Sequence, residues 1–541
     1  MLLLAFISSL LITILLIPPL TYFSGVFNLY DYPSARKVHA TPIPRIGGIA
    51  ITMAILIPIA TLLSINTATI GLILALVCIF ILGVLDDIVS LNYRYKFLFQ
   101  IIATCLVLGM GYIDVADSYY YQADLGRTVC LVALYLFFTL GVTNAINLAD
   151  GLDGLAGGAT LLSFSMMGLL AYESDNSEIL IMVLAILGSV FGFLRYNTHP
   201  AKVFMGDTGS LLLGFLLGVL SILICHSESN AYVKTLPLLL VGLPVFDTLF
   251  VMAYRISQGR SPFHADKNHF HHRLMDNGLK HQQAVLLIYL IQVVFVLLAY
   301  FLRYSSELDV MLAFMTISGV CIAVSTIKWS VLGSITHLQY KNTVTFQFLS
   351  SWVNKHSVPI YAILSSVLTG YLLLSCYFPD QMNIEIIYIL IIISLANGLL
   401  LIVRRNREIN WLDRLAIHCM CLMTMYFVYQ KSIELDHMVL IVHNSMLLIA
   451  AVLVLMLVTL HRQRQFAGST LDFLMISSVI VVLNLPDSPI DVTGVSLVII
   501  KLLVLFYCVE YVLYNLTKNR WLLRVISFSH PIMALALNSM M

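Results

Sequence analysis

NAINLADGLDGLAGG, residues 144–158, interrupts an otherwise apolar part of the chain. It follows the apolar run 128–142 and precedes the run 159–172, so polar side chains lie where one membrane helix should lead into the next. Carboxylates next to membrane-depth segments are costly and are usually functional. A polar turn is the alternative, but it would account for one Asn and one Gly rather than for four polar groups at helical spacing. The four are Asn144, Asn147, Asp150 and Asp153.

The composition indicates a polytopic membrane protein. Of 541 residues, 60% are hydrophobic and only 11% are charged, whereas soluble domains carry about 25% charged residues. Apolar runs near 20 residues fit helices that cross a hydrocarbon core of about 30 Å and are too long for barrel strands. The cysteines all fall in apolar runs, which favours small buried side chains over disulfides or metal ligands. The run 2–22 has no basic flank, which favours a retained first span over a signal peptide.

We therefore predict an all-α polytopic fold with about eleven transmembrane helices in a catalytic core and about six in a C-terminal extension. The core spans are expected near 2–23, 46–64, 68–85, 97–112, 128–143, 156–172, 179–194, 210–225, 235–254, 284–302 and 310–327. The later ones are expected near 358–378, 384–403, 414–430, 438–460, 471–485 and 493–514. Whether the apolar tail 521–541 spans the membrane is left open.

The basic residues predict the orientation. With the N-terminus outside, one set of alternate loops receives nearly all Lys and Arg, and the positive-inside rule makes that set cytoplasmic. Five polar segments then share the cytoplasmic face: 36–48, 86–96, 144–153, 202–210 and 262–274. A secondary transporter is the rival interpretation, but transporters place polar groups near the midplane. A polar seam follows the core, and we predict a core at 1–328, a cytoplasmic linker at 329–357 and an extension at 358–541 whose role is open.

Asp86 and Asp87 close the third predicted span. The helix dipole disfavours negative side chains at a helix C-terminus. Two adjacent carboxylates there also repel each other unless a cation or a shared proton lies between them. They are either a solvated helix end or a pair that faces a metal or accepts a proton. Lys96 follows at the start of the next span, close enough to face the same pocket.

Two further segments carry chemistry. In the sequence FMGDTGS at 204–210, either Asp207 or Ser210 forms an ordinary helix cap, or Asp207 is a hard oxygen ligand for Mg²⁺ beside a helix N-terminus suited to phosphate. The segment 261–274 is a solvated basic loop, a zinc site, or a site for a polyanion such as pyrophosphate. Its chemistry would come from His269, His271, His272 and Arg273, with added positive charge from Arg36, Lys37 and Arg45. Together these segments suit phosphoryl transfer to a lipid phosphate.

These motifs resemble the polyprenyl-phosphate N-acetylhexosamine-1-phosphate transferase family. The resemblance covers about residues 1–328, with the motifs in the family's order. It is strongest to the bacterial branch that loads N-acetylglucosamine-1-phosphate from UDP-GlcNAc onto undecaprenyl phosphate and so starts O-antigen, lipopolysaccharide or other cell-wall glycan synthesis. The branch that makes the first peptidoglycan lipid intermediate typically has three consecutive His, whereas Phe270 splits the cluster here.

The resemblance implies Mg²⁺ (or Mn²⁺), release of UMP, and an active site on the cytoplasmic face of the bacterial inner membrane. It implies that Asp207 and Asn147 are metal ligands and that Asp86 is a base or a phosphate-orienting acid beside Asp87. Asp150 and Asp153 are implied on the nucleotide side and Phe204 on uracil. The phosphate and other substrate contacts expected from the resemblance and the charge pattern are Lys96, His269, His271, His272, Arg36, Lys37, Arg45, Asn144 and Arg273.

Several points stay open at this level. The mechanism is one-step or two-step, and we favour direct attack by the lipid phosphate. The identity of the N-acetylhexosamine and the possibility of a homodimer are also unresolved by sequence, and no nucleic-acid partner is expected.

Overall fold

The computed structural model describes residues 2–26, 29–33, 41–111, 125–226, 232–261, 268–327, 351–353, 355–375 and 437–460, together with scattered positions near 421 and 501–512. The chain divides into two compact units, one built mainly from residues 1–332 and the other beginning at residue 333. Each unit is described by itself. The predicted spans near 384–403 and 471–485, and most of those near 414–430 and 493–514, lie outside the described residues.

Helices dominate the first unit, and each of the predicted core spans contains one. They are α1 (Leu2–Phe23), α2 (Gly47–Leu62), α3 (Thr67–Val89), α4 (Tyr93–Gly109), α5 (Leu125–Ala149), α6 (Leu155–Glu173), α7 (Ser177–Asn197), α8 (Gly206–His226), α9 (Pro237–Leu240), α10 (Gly242–Ser257), α11 (Phe270–Asp276), α12 (His281–Phe301) and α13 (Glu307–Thr326). Within the described ranges, eight of them are long and apolar enough to cross a membrane. The predicted all-α polytopic fold is confirmed.

One predicted span differs from expectation, because the segment near 235–254 is two helices, α9 and α10, rather than one. Pro244 has no N–H to donate to the carbonyl four residues earlier, so the carbonyl of Leu240 loses its helical partner. The buried Gln292 of α12 replaces it: its Nε2 donates to Leu240 O over 3.3 Å, and its Oε1 accepts from Leu243 N over 3.2 Å. The break is therefore stabilised by a neighbouring helix, as backbone at membrane depth requires.

Glycines let the backbones of α2, α3 and α8 approach closely. A Cβ on Gly48 of α2 would lie 2.2 Å from the backbone N of Gly209, and a Cβ on Gly83 of α3 would lie 2.3 Å from Thr208 Cα. Such close approach through small residues is a common way for membrane helices to pack. It brings the C-terminal end of α3 against the N-terminal end of α8.

A short antiparallel pair, which the sequence did not predict, joins β1 (Tyr30–Asp31) to β2 (Ile43–Pro44). The chain after β2 then pairs with the segment that leads into α8. Phe204 N donates to Pro44 O over 2.9 Å, and Gly47 N and Gly48 N donate to the carbonyls of Phe204 and Met205. These bonds fix the approach to α8, where Asp207 lies.

The second unit has a hydrophobic core of its own. It includes α14 (Ser357–Ser375) and α15 (His437–Leu460), which pack against each other. Leu364, Leu368 and Leu457 are buried in that core.

Candidate active site

Three charged side chains from three helices meet where α3 ends and α8 begins. Asp86 is 1% exposed and forms an ion pair with Lys96 of α4, whose Nζ also lies 3.8 Å from Asp207 Oδ2. The carboxylates of Asp86 and Asp207 are themselves within hydrogen-bonding reach of each other. Two facing carboxylates require a cation or a shared proton between them, and Lys96 supplies one positive charge.

Asn147, near the C-terminal end of α5, joins this cluster. Its amide nitrogen donates to Asp207 Oδ1 over 2.6 Å and to Ser210 Oγ over 2.9 Å. The structure therefore brings together the two residues expected to be metal ligands. Carboxylate and amide oxygens suit Mg²⁺, which prefers hard oxygen ligands, and the facing carboxylates call for a compensating charge. The residues present fit a divalent cation.

Asp87 has a different environment from Asp86, although the two are adjacent. Its carboxylate accepts hydrogen bonds from Asp207 N, Thr208 N and Thr208 Oγ1 at 2.6–2.9 Å. Two of these donors are free backbone N–H groups at the start of α8, where negative charge is favoured, and the third is the Thr208 hydroxyl. The cap of α8 is thus supplied from another helix and not by Asp207 or Ser210, which were the expected alternatives.

A cavity of about 580 Å³ opens beside this cluster. The predicted residues that line it are Arg45, Asp87, Asn147, Asp150, Asp153, Phe204, Asp207 and His272, and it is also lined by Asp31, Asn197, His199 and His281. Most of these belong to loops and helix ends on one side of the unit. The stretch 144–158 that opened the sequence analysis therefore forms a wall of the cavity.

Asp150 and Asp153 follow the end of α5. Burial raises the pKa of Asp150 to about 7, helped by the negative charges of Asp207, Asp87 and Asp153 and opposed by Arg45. Asp153 Oδ2 accepts from Ala201 N over 3.1 Å and lies 2.7 Å from His199 Nδ1. Asp153 is therefore held in place by the segment between α7 and α8.

The predicted histidines lie around the start of α11 but differ in accessibility. His269 is buried and its Nδ1 lies 2.9 Å from Asp247 Oδ2, while Phe270 N donates to Asp247 Oδ1 over 2.7 Å. His271 is also buried, packs on Gly151, and has a pKa lowered to about 3 chiefly by burial, so it is neutral near pH 7. His272 lines the cavity. His272 is thus the member of the three that can meet a ligand there.

Arg45 and Phe204 border the cavity through the paired backbone described above. Arg45 forms an ion pair with Asp31 of β1, so part of its positive charge is already matched. Phe204 presents a partly buried ring to the cavity. An aromatic ring at this point can stack on a flat heterocycle.

Other predicted residues lie elsewhere. Asn144 donates to Gln100 Oε1 over 2.9 Å and to Leu140 O over 2.7 Å, and it does not line the cavity. The guanidinium of Arg273 lies 4.9 Å from the centre of the Phe250 ring. Arg36 and Lys37 lie outside the described residues.

The structure adds residues that the sequence interpretation did not single out, namely Asp31, Asp247, Asn197, His199 and His281. A signal existed for Asp247, since it is a carboxylate inside a predicted span and such residues are usually functional. For the two histidines the sequence offered no pattern, because they are separated along the chain and meet only in the fold.

Sequence similarity to known proteins points to the same kind of enzyme. A model of glycosyl transferase family 4 matches residues 69–225. The chain is 36% identical over 301 residues to a probable undecaprenyl-phosphate N-acetylglucosaminyl 1-phosphate transferase of Bacillus subtilis, covering 55% of this chain and 84% of the relative. It is 34% identical to a decaprenyl-phosphate N-acetylglucosaminephosphotransferase of Mycolicibacterium smegmatis, covering 49% and 73%.

A third relative acts in a different branch. The chain is 31% identical to a phospho-N-acetylmuramoyl-pentapeptide-transferase of Lactobacillus gasseri, covering 50% of this chain and 90% of the relative. The match to most of the length of each relative, together with the carboxylate cluster at the ends of α3 and α8, establishes the family. This chain belongs to glycosyl transferase family 4, as a membrane protein of the polyprenyl-phosphate sugar-phosphate transferase type.

Proposed function

We propose that the protein transfers N-acetylglucosamine-1-phosphate from UDP-GlcNAc to a polyprenyl phosphate, undecaprenyl phosphate in the bacterial inner membrane. The observation that carries the proposal is a cavity at the ends of membrane helices that Asp207 and Asn147 line, with Lys96 Nζ 3.8 Å from Asp207 Oδ2. The names of the relatives from Bacillus subtilis and Mycolicibacterium smegmatis support N-acetylglucosamine as the sugar.

The reaction balances as a single displacement. An oxygen of the lipid phosphate attacks the phosphorus that carries the sugar, the bond from that phosphorus to the bridging oxygen breaks, and UMP leaves with that oxygen. A phosphate monoester loses its second proton near pH 6, so at neutral pH the attacking oxygen needs no general base. This favours direct attack over a covalent aspartyl intermediate.

A divalent cation, Mg²⁺ or Mn²⁺, would be held by Asp207 and Asn147. When bound, it neutralises charge on the donor pyrophosphate. Lys96 adds a positive charge that Asp86 positions through their ion pair. Asp86 therefore acts as the acid that orients Lys96 and keeps it beside Asp207.

The nucleotide end of the donor is assigned to other residues that line the cavity. Phe204 offers a ring for stacking on uracil, and Asp153 and Asp150 offer acceptors for N–H and O–H groups of the nucleoside. His272 and Arg45 border the same cavity and suit the phosphates. In this proposal the polar mouth faces the cytoplasm, as the distribution of Lys and Arg favours, and the product would start a lipid-linked cell-surface glycan such as O-antigen.

The test is a substrate-dependence experiment on purified full-length protein. UMP should appear only when UDP-GlcNAc, polyprenyl phosphate and Mg²⁺ are all present, and EDTA should abolish it. Uptake of UDP-GlcNAc into sealed vesicles without release of UMP would instead establish a transporter and would refute the proposal.

The choice of sugar needs its own measurement. A panel of UDP-GlcNAc, UDP-GalNAc, UDP-MurNAc-pentapeptide and a 6-deoxy N-acetylhexosamine nucleotide should give the highest kcat/KM with UDP-GlcNAc. A strong preference for any other donor would replace the sugar in the proposal while leaving the reaction type unchanged.

A further inference from the structure

A second group of potential metal ligands lines the same cavity as Asp207. Asp153, His199 and His281 come from the loop after α5, the loop after α7 and the first residue of α12. Each offers one ligand atom, and these three atoms all lie within 4.8 Å of one another. In the part of the chain that the structure describes, this is the one set of three or more His, Cys, Asp or Glu side chains whose ligand atoms converge in this way.

The histidine rings are arranged by their surroundings. His199 and His281 stack with their ring centres 4.3 Å apart, and His199 Nδ1 lies 2.7 Å from Asp153 Oδ2. Both ring nitrogens of His281 are buried, and neither makes a hydrogen bond of ordinary geometry to a described residue, although the backbone of Asp153 approaches the ring. A buried imidazole in this state loses the hydrogen bonds it would make in water, which is unfavourable unless a ligand compensates.

The chemistry of the ligand set selects the ion. Two imidazoles and one carboxylate suit Zn²⁺, whereas Mg²⁺ and Ca²⁺ prefer oxygen ligands. Tetrahedral zinc with bonds near 2.1 Å places its ligand atoms about 3.4 Å apart. Side-chain shifts of about an ångström would bring the wider pairs to that separation and lengthen the 2.7 Å contact between Asp153 and His199. Three protein ligands leave a fourth position for water or a donor oxygen.

We propose that Asp153, His199 and His281 form a site for a borderline transition-metal ion, represented by Zn²⁺, which is separate from the Mg²⁺ site at Asp207. A bound zinc ion would coordinate the Asp153 carboxylate. The proposed function gives that same carboxylate a second role, as a hydrogen-bond acceptor for the donor nucleotide. Zinc therefore competes with the nucleotide for one end of the cavity. The competition rests on the proposed function, whereas binding of the metal does not.

Binding is measured first, without substrate. Full-length protein freed of metal by a chelator is dialysed against Zn²⁺ in the presence of millimolar Mg²⁺, and X-ray absorption reports the ligand types. One Zn²⁺ per chain with mixed nitrogen and oxygen ligands is expected. His199→Gln and His281→Gln should each weaken that binding at least tenfold, and His226→Gln is the matched control because His226 lies at the far end of α8. Zinc binding that both His199→Gln and His281→Gln leave unchanged overturns the site.

Competition is measured second, with UMP as the probe. Saturating UMP should lower the affinity for Zn²⁺, and Zn²⁺ should raise the apparent KM for UDP-GlcNAc more than it lowers kcat. An affinity for Zn²⁺ that UMP leaves unchanged overturns the competition. If the protein binds Zn²⁺ as expected but releases no UMP from any donor, the proposed function fails while the metal site stands.

Discussion

At the scale of single residues, Asp86, Asp87 and Asp207 show how environment separates identical side chains. Asp207 faces the cavity and Lys96, whereas Asp87 accepts three hydrogen bonds from the start of α8. We therefore expect Asp207→Asn to lose activity without losing stability. The metal proposed at Asp207 would contribute several kcal/mol to the transition state and each 1.4 kcal/mol is about tenfold, so the loss in kcat should exceed about 100-fold, with an unchanged midpoint of thermal unfolding.

Asp87→Ala should instead lower the midpoint of thermal unfolding. Loss of a helix cap costs about 1–2 kcal/mol, and the charge at the helix N-terminus is lost with it. Ser306→Ala is the matched control, because Ser306 caps α13 on an exposed helix end and should lower stability slightly without affecting turnover. An Asp87→Ala protein as stable as the wild type would contradict the assignment of Asp87 as the cap of α8.

The carboxyl of Asp150 predicts a dependence of stability on pH. Its pKa is raised from an ordinary 3.8 to about 7 by burial and by neighbouring negative charges. The folded state therefore disfavours the ionised form, and the stability present at low pH is lost as the pH rises from about 4 through about 7. In metal-free buffer, the wild type should lose thermal stability between pH 5 and pH 8 relative to Asp150→Asn.

The measurement is the difference in unfolding midpoint between Asp150→Asn and the wild type at several pH values. That difference should grow by at least about 2 °C with rising pH, given the usual relation of free energy to midpoint, and Mg²⁺ should reduce it by offsetting the charge of Asp207. A difference that stays constant with pH would show that Asp150 ionises without penalty.

At the scale of elements, the helix pattern was predictable and its interruptions were not. Hydropathy places α1 to α3, α5 to α8, α12 and α13 because each is a nearly continuous apolar run. Pro244 removes a hydrogen bond at the break between α9 and α10, but the groups left there are satisfied by Gln292, a side chain that belongs to another helix. The pairing of β1 with β2 is two residues long and leaves no periodic pattern to read.

The site was also only partly predictable from the sequence. The motif residues Asp86, Asn147 and Asp207 could be chosen from local chemistry because polar groups at span ends are unusual. Their separate roles could not, since the neighbours that distinguish Asp86 from Asp87 come from α4 and α8. Likewise, His269 and His271 are buried against residues that are distant in sequence, and only the fold shows that His272 is the one of the three that lines the cavity.

The close contact of α2 with α8 gives a prediction about elements. Gly48→Ala places a methyl group 2.2 Å from the backbone of Gly209, so the helices must separate and displace the start of α8. We expect lower thermal stability and at least a tenfold loss of UMP release. Gly319→Ala in α13 is the control, because its Cβ would meet nothing within 4 Å, and it should stabilise the helix by about 0.5–1 kcal/mol.

Equal effects of the two substitutions on stability and on UMP release would contradict the packing role. A loss of activity in Gly48→Ala with full stability would instead indicate that only the approach to Asp207 has moved.

At the scale of the whole molecule, the described part of the proposed active site lies before residue 328. The unit that begins at residue 333 has a hydrophobic core of its own, and the relatives align to about half of this chain. We propose that a chain ending near residue 341 retains transferase chemistry, with kcat within about tenfold of the full-length value because the carboxylates and Lys96 are all present.

The truncated protein should be compared with the full-length protein at saturating UDP-GlcNAc over a range of polyprenyl phosphate. A large rise in the apparent KM for the lipid alone would assign the extension to lipid capture. A folded truncation without turnover at saturating lipid would show that the extension supplies part of the active site and that the proposed boundary is wrong.

The support that Gln292 gives to the break between α9 and α10 bears on how the chain is made. During synthesis, the segment 237–257 leaves the ribosome well before residue 292, so it enters the membrane with the carbonyl of Leu240 and the N–H of Leu243 still without their final partner. We therefore expect the ninth predicted span to reach its final conformation only after the tenth has been translated.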